Sequence, residues 1–235
     1  LVGESGCGKT TLARTVLGLL PPTAGQILYN GRDLTDIPSA ELRRLRSRIQ
    51  MIFQDPYSGL SPRLTVSYLL TEPYAIHRMP EAERYTVGEL LRMVGLSDEL
   101  ANKYPHELSG GQARRVGVAR ALSLHPDFLI ADEPTSGLDV SVAASVLNLL
   151  KDLGDRLDLT YMIITHNLNL VGYVADRVVV MYLGRIVEVG TTDQVFDSPA
   201  HPYTVALLSA ISEPDPRQRS EARRLLLKGE IPSAK

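Results

Sequence analysis

Apolar and polar positions change rhythm along this chain. Thr11–Leu20 repeats its apolar residues at helical spacing and stops at Pro21-Pro22, so a helix is predicted there. Ile27, Leu28 and Tyr29 then run into Asn30-Gly31, a favoured two-residue turn, which makes Gln26–Leu34 a hairpin. Ser39 is positioned to cap a basic helix reaching Arg48, and Gln50–Phe53 is a short apolar strand ending at Gln54. From about Asp55 to Leu124 the spacing is mainly helical, with Leu69, Leu70, Leu90, Leu91 and Val94 as its apolar positions. Alternation then returns. Phe128–Ala131 reads as a buried strand, and Val140–Leu153 as a helix with Val142, Val146, Leu149, Leu150 and Leu153 on one face. Thr160–Thr165 reads as a strand and Arg177–Val189 as a β-branched hairpin. Strands alternating with helices, interrupted by a helical insert, predict an α/β sheet.

Composition narrows the classes. The 235 residues suit one large domain or two interleaved halves, and 44% hydrophobic with 22% charged residues excludes a disordered polymer. A net charge of −2 gives no global field toward nucleic acid or an anionic membrane. The single cysteine, Cys7, excludes an intramolecular disulfide framework and a thiolate zinc cluster. Apolar stretches such as Val178–Leu183 fall far short of the ~18–20 residues that span a bilayer, and no signal-peptide pattern opens the chain. The expectation is a soluble, cytosolic protein that reaches a membrane only through a partner. Leu1 and Val2 alone precede a glycine-rich loop that needs a full strand before it, and Gly229–Lys235 carries no capping pattern, so a fragment is expected.

Three segments carry chemistry. Gly3-Glu4-Ser5-Gly6-Cys7-Gly8-Lys9-Thr10 fits G-x-x-x-x-G-K-[ST] at every fixed position. Its glycines let successive N–H groups converge on phosphate oxygens, and the helix opening at Lys9, Thr10 and Thr11 adds its positive dipole end. Lys9 would hold the outer phosphates, and the Thr10 hydroxyl would ligate Mg²⁺. Phe128–Glu133 is an apolar strand delivering carboxylates: Asp132 to orient the magnesium shell, Glu133 as general base toward an attacking water. Leu108-Ser109-Gly110-Gly111-Gln112, ahead of a helix over Ala113–Leu124, forms a second anion cradle. One ATP does not need two cradles, so the second is expected to serve the nucleotide of another subunit. Cys7 occupies a variable loop position and reads as a small filler, beside a helix N-terminus that would favour its thiolate. Arg114, Arg115 and Arg120 read as a solvated helix face with intersubunit pairs rather than a nucleic-acid patch.

Gln54, Asp139 and His166, each alone, read as ordinary strand-end or helix-cap residues. Their order among the other motifs, with Ser136-Gly137-Leu138-Asp139, changes that. The chain resembles the ATP-binding-cassette ATPases over essentially its whole length. The resemblance implies a P-loop, RecA-like core over 1–56 and 125–195, a helical subdomain over about 57–124, a short antiparallel β portion, and a C-terminal extension over 196–235. It implies ATP and Mg²⁺ as cofactors. Lys9, Gln54, Glu133 and His166 would be catalytic: Gln54 sensing magnesium and attacking water, His166 contacting the γ-phosphate. Leu108, Ser109, Gly110, Gly111, Gln112 and Asp139 would act in trans, across a head-to-tail homo- or heterodimer. The family's adenine-stacking aromatic residue has no match in this chain.

Phe53-Gln54-Asp55-Pro56, Pro105-His106-Glu107-Leu108, Asp139-Val140-Ser141-Val142 and His201-Pro202-Tyr203-Thr204 resemble the oligopeptide, dipeptide and nickel importer branch, as does Gly229-Glu230-Ile231-Pro232-Ser233. That implies an energy-coupling subunit at the cytoplasmic face of a membrane. Its partners would be permease subunits and, indirectly, an external solute-binding protein, with no nucleic acid. The alternative, a soluble cassette ATPase of DNA repair or translation, needs a basic surface or long insertion that charge and length argue against. A P-loop metabolite kinase leaves the second cradle unexplained.

Overall fold

The computed structural model describes residues 1–210; the Gly229–Ser233 resemblance lies outside the described residues. Two compact units divide the chain: Ala13–Ile163 forms one, and Leu1–Leu12 with the chain from Ile164 forms the other.

The first helix, α1 (Lys9–Val16), follows the glycine-rich loop, and from Ala13 on it belongs to the Ala13–Ile163 unit. It ends earlier than the prolines suggest. Gly18 takes φ 64°, the Leu19 N–H bonds the Arg14 carbonyl at 2.8 Å and the Gly18 N–H bonds Thr15 at 2.9 Å, a left-handed stop that needs no proline. β1 (Leu28–Tyr29) pairs antiparallel with β2 (Arg32–Asp33) around Asn30-Gly31, both at positive φ as the tight hairpin turn demands. α2 (Ser39–Leu45) starts at Ser39 but takes Pro38 as its cap residue without a side-chain bond, so the expected serine cap is not made. It also stops short of Arg48. Arg46 instead turns back to bond the Leu17 and Gly18 carbonyls at 3.2 and 2.6 Å.

β3 (Ile49–Ile52) then enters the sheet. The helical insert follows: α3 (Val66–His77), α4 (Val87–Met93) and α5 (Gly110–Leu122). Thr65 and Thr86 cap α3 and α4, the latter through a reciprocal box with Glu89. β4 (Phe128–Asp132) pairs parallel with β3, from Ile49 against Phe128 to Ile52 against Ala131. After α6 (Val140–Leu157), β5 (Thr160–Ile164) completes the order β3-β4-β5. Leu69, Leu70, Leu90, Leu91, Leu129 and Val146 are among the side chains that fuse sheet and insert into one core. Each such burial stabilises by about 1.5–3 kcal/mol.

In the other unit, Val2 bridges Thr165 on one side and Val180 on the other. α7 (Leu168–Val174) leads to β6 (Arg177–Tyr182) and β7 (Arg185–Thr191), an antiparallel hairpin turning at Leu183-Gly184. α8 (Thr192–Asp197) and α9 (Pro202–Ser209) complete it. Val2, Leu168, Val171, Val178, Val180, Val195 and Tyr203 form its core. The apolar rhythm predicts none of α7–α9, which are too short for a periodic signal, although Thr191 and Gln194 make a capping box whose spacing is legible. Among the described residues no helix is long and apolar enough to cross a membrane. The expected α/β class holds: a parallel sheet with an inserted helical layer, plus antiparallel strands.

Candidate functional site

The glycine-rich loop is fastened where the chain leaves Val2. Val2 N–H bonds Val179 and its carbonyl accepts from Met181, both at 2.8 Å, while Leu1 accepts from Thr165 at 3.1 Å. A Cβ on Gly3 would stand 2.1 Å from the Met181 carbonyl, so only glycine passes under that strand. Lys9 folds back across the loop, its buried Nζ donating to the Gly3 and Glu4 carbonyls at 2.8 and 2.7 Å. Ser5, Gly6 and Thr11 are exposed, Glu4, Gly8 and Thr10 half-buried, and a Cβ on Gly6 would meet nothing within 4 Å. The result is a loop, part exposed at Ser5 and Gly6, at the amino end of α1, with a buried cation folded against its backbone. Cys7 is 5% exposed and its Sγ lies 3.9 Å from Lys9 Nζ, a packed filler. The parallel bridge between Val2 and Thr165 puts His166, exposed on the turn into α7, at the same end as Gly3.

The carboxylate strand and Gln54 lie in the other unit. Because Ile52 pairs with Ala131 in parallel, Gln54 and Glu133 emerge together beyond the carboxyl ends of β3 and β4, where open α/β sheets present their reactive groups. Gln54 Nε2 donates to Glu133 Oε2 at 3.2 Å. Asp132 is buried; Glu133 is half-buried and held at φ 46°, with Ser136 N–H bonding its carbonyl at 3.0 Å. A left-handed glutamate is a strained residue, and the turn around it over-determines that conformation.

Arg114 supplies much of that constraint. It is 2% exposed, and its guanidinium donates to the carbonyls of Phe53 at 3.5 Å, Glu133 at 3.3 Å and Ser136 at 3.0 Å. Burial lowers its pKa, and the Asp55 carboxylate partly restores it. The expectation of a solvated arginine face is therefore overturned. Arg115 bonds Val94 and Ser145, and Arg120 bonds Gly59 and pairs with Glu72 at 2.8 Å. The carbonyls of turns and loops, which lack ladder partners, recruit these donors.

Ser109 caps α5: its Oγ accepts from Gln112 N–H at 3.2 Å, and Gln112 Oε1 accepts from Ser109 N–H at 2.9 Å. Gly110 faces open space, whereas a Cβ on Gly111 would sit 3.1 Å from Val142. Leu108 does not join this exposed rim; its side chain is buried in the core of its own unit, and its carbonyl accepts from Tyr57 Oη at 3.2 Å. Asp139 caps α6, accepting from Val142 N–H at 2.9 Å and the Ser141 hydroxyl at 3.0 Å. Those bonds, the backbone one first, hold its carboxyl below the ordinary range. Val140 beside it is 88% exposed.

Comparison with known proteins agrees with this architecture. The ABC transporter family matches residues 1–136, and the oligopeptide/dipeptide transporter C-terminal region matches residues 187–234. The chain belongs to the ABC transporter ATPases. A provisionally named peptide import ATP-binding protein of Brucella ovis is 52% identical over 99% of this chain and 74% of its own length. The oligopeptide transport ATP-binding proteins AppF of Bacillus subtilis and OppF of Salmonella typhimurium are each 47% identical over 99% of this chain, and 72% and 71% of their own. Among solved structures, cbiO1 of Clostridium perfringens, part of the ABC transporter complex cbiONQ, aligns at TM-score 0.74 and 32% identity over 84% of this chain and 78% of its own. The dimeric cassette MJ0796, bound to ADP and Pi after hydrolysis, aligns at 0.71 and 29% over 81% and 83%.

In this cassette ATPase the sequence motifs name the residues at the carboxyl ends of the strands but not what braces them. Arg114 had one legible signal: it shares a helical stripe with Gly117, Val118 and Ala121, spacing that marks a buried face. Tyr203 had only its place in the His201–Thr204 stretch, which marks a branch and not a contact.

Proposed function

We propose that this ABC ATPase is the nucleotide-binding subunit of a membrane importer for peptides or a related small solute, such as nickel or a glutathione-like peptide. The single observation that carries the reading is one chain matching both the transporter ATPase family and the oligopeptide/dipeptide C-terminal region. Relatives named as peptide import and oligopeptide transport subunits support it. The subunit would work at the cytoplasmic face, against permease subunits fed by an external solute-binding protein.

In this reading Gly3–Thr11 wraps the phosphates of ATP, with loop N–H groups and the α1 dipole as anion donors. Lys9 exchanges its bonds to Gly3 and Glu4 for the outer phosphates. The Thr10 hydroxyl, the Gln54 amide oxygen and the buried Asp132 carboxylate are the hard oxygen donors that suit magnesium, which they would hold. When bound, that ion neutralises charge on the phosphate oxygens. Glu133 takes the proton of the attacking water, Gln54 orients it, and His166 contacts the γ-phosphate. Ser109, Gly110, Gly111, Gln112 and Asp139, with Leu108 bracing the rim from beneath, complete the ATP site of a second subunit, so two ATP molecules are hydrolysed at a head-to-tail interface.

The test is reconstitution of the full-length chain with its permease subunits in vesicles. A peptide-loaded binding protein should stimulate ATP hydrolysis and drive peptide uptake. ATPase activity that answers to nucleic acid, and to no solute-loaded binding protein, would overturn the assignment in favour of a non-transport cassette.

A further inference from the structure

The Gly3–Glu4 peptide unit is pinned on both edges. Its carbonyl, Gly3 O, accepts from Lys9 Nζ at 2.8 Å, and its N–H, on Glu4, donates to the Tyr203 hydroxyl at 3.0 Å. In a trans peptide these groups point opposite ways. A glycine on one side makes rotation of such a unit easy, because glycine tolerates the dihedral change that side-chain residues resist.

Tyr203 is itself rigidly held. It is 4% exposed, and its ring stacks on Tyr182 with centroids 4.2 Å apart. Its N–H bonds His201 Nδ1 at 3.1 Å, at the cap of α9. The Glu188 carboxylate clamps the approach to that helix, accepting from Ala200 N–H at 2.8 Å and His201 N–H at 3.0 Å. The His201-Pro202-Tyr203-Thr204 stretch thus builds a fixed hydroxyl whose acceptor lone pair meets one backbone donor of the phosphate loop.

We propose that Tyr203 is a positioning residue for ATP binding: its hydroxyl locks the Gly3–Glu4 peptide, so that the C-terminal region straps the phosphate loop in its anion-binding shape. The proposal rests on reading Gly3–Thr11 as the ATP loop. When Lys9 moves to the phosphates, the Gly3 carbonyl loses its partner, and the bond to Tyr203 is what resists a peptide flip. Without it the competent loop is a smaller fraction of the population, and apparent affinity falls by that fraction. By reciprocity, bound ATP should tighten the Tyr203 contact.

The experiment uses the full-length chain and compares wild type, Tyr203→Phe, Tyr182→Phe and Lys9→Ala. Calorimetric ATP titration, steady-state hydrolysis, thermal melting and amide hydrogen exchange over the loop are the readouts. Tyr203→Phe keeps the buried ring and should raise the ATP dissociation constant and KM about three- to tenfold, the range of one lost hydrogen bond, with kcat within about twofold. Glu4 amide exchange should quicken while β6 and β7 stay protected, and Tyr182→Phe should behave as wild type. Two results would overturn the strap: Tyr203→Phe binding ATP like wild type with Glu4 exchange unchanged, or weaker binding accompanied by equal loosening of the whole β6–β7 unit. Failure of the underlying loop assignment looks different, since Lys9→Ala would then bind ATP as tightly as wild type.

Discussion

Gln54 Nε2 and Glu133 Oε2 meet at 3.2 Å, although 79 residues separate them in the chain. The parallel register of β3 and β4 makes that meeting, and the Arg114 guanidinium holds the carbonyls of both approaches, Phe53 and Glu133. One helix, α5, therefore carries the arginine that braces the Gln54–Glu133 pair, the proposed hydrolytic groups, and has Ser109 as its cap.

Glu133→Gln keeps size and hydrogen bonding but removes the basic carboxylate. Turnover should fall by ~10²-fold or more while ATP still binds. Adding Gln54→Ala should cost little further, because residues acting as a unit are not additive. Phosphate release and ATP titration on the complete transporter measure this; near-wild-type turnover would reject the role of Glu133.

Arg114→Met should leave three loop carbonyls short of a buried donor, lowering stability by about 3 kcal/mol. Turnover should fall more than ATP affinity, since the proposed hydrolytic pair, Gln54 and Glu133, loses its brace. Arg114→Lys retains the charge but not the fork, and should lie between. Urea unfolding and steady-state kinetics of the full chain decide it, and unchanged stability in Arg114→Met would remove the brace.

Ser109→Arg should leave ATP binding by the single subunit nearly intact yet abolish ATP-dependent dimer formation. Light scattering with ATP, in a Glu133→Gln background, is the measurement. A dimer that forms equally well would reject action in trans.

Three helix-terminal carboxylates tie stability to pH. Glu89 accepts from the Thr86 N–H and then its hydroxyl, Glu107 from the Tyr104 N–H, and Asp139 from the Val142 N–H and then the Ser141 hydroxyl. Each pKa is depressed below its ordinary value of 4.5, 4.5 or 3.8. Depressed carboxyls stabilise fully above their unfolded pKa and lose that stabilisation as pH falls through the folded one. Stability should therefore fall as pH drops below the ordinary carboxylate range. Asp139→Asn, which keeps a cap without a titrating group, should flatten part of the slope in urea unfolding at stepped pH.

Much of the α/β framework was legible because its rules are local. Asn30-Gly31 announced its hairpin, the apolar run before Asp132 announced β4, and the glycine-rich stretch before Lys9 announced the turn into α1. The errors were local rules outcompeted. Gly18 ended α1 ahead of the prolines, and Pro38 displaced Ser39 from the cap of α2.

By itself the sequence determined which residue types stand at the spacings that phosphate binding, oxygen donation and proton transfer call for, because such patterns are short and fixed. Tertiary structure alone decided which distant groups share one locus. It turned Arg114 from an apparent surface charge into a buried brace, sank Leu108 into the core, and brought Tyr203 to the Glu4 N–H from 199 residues away. Such contacts depend on strand register and on unpaired loop carbonyls and N–H groups seeking partners, and neither is written in any short stretch of sequence.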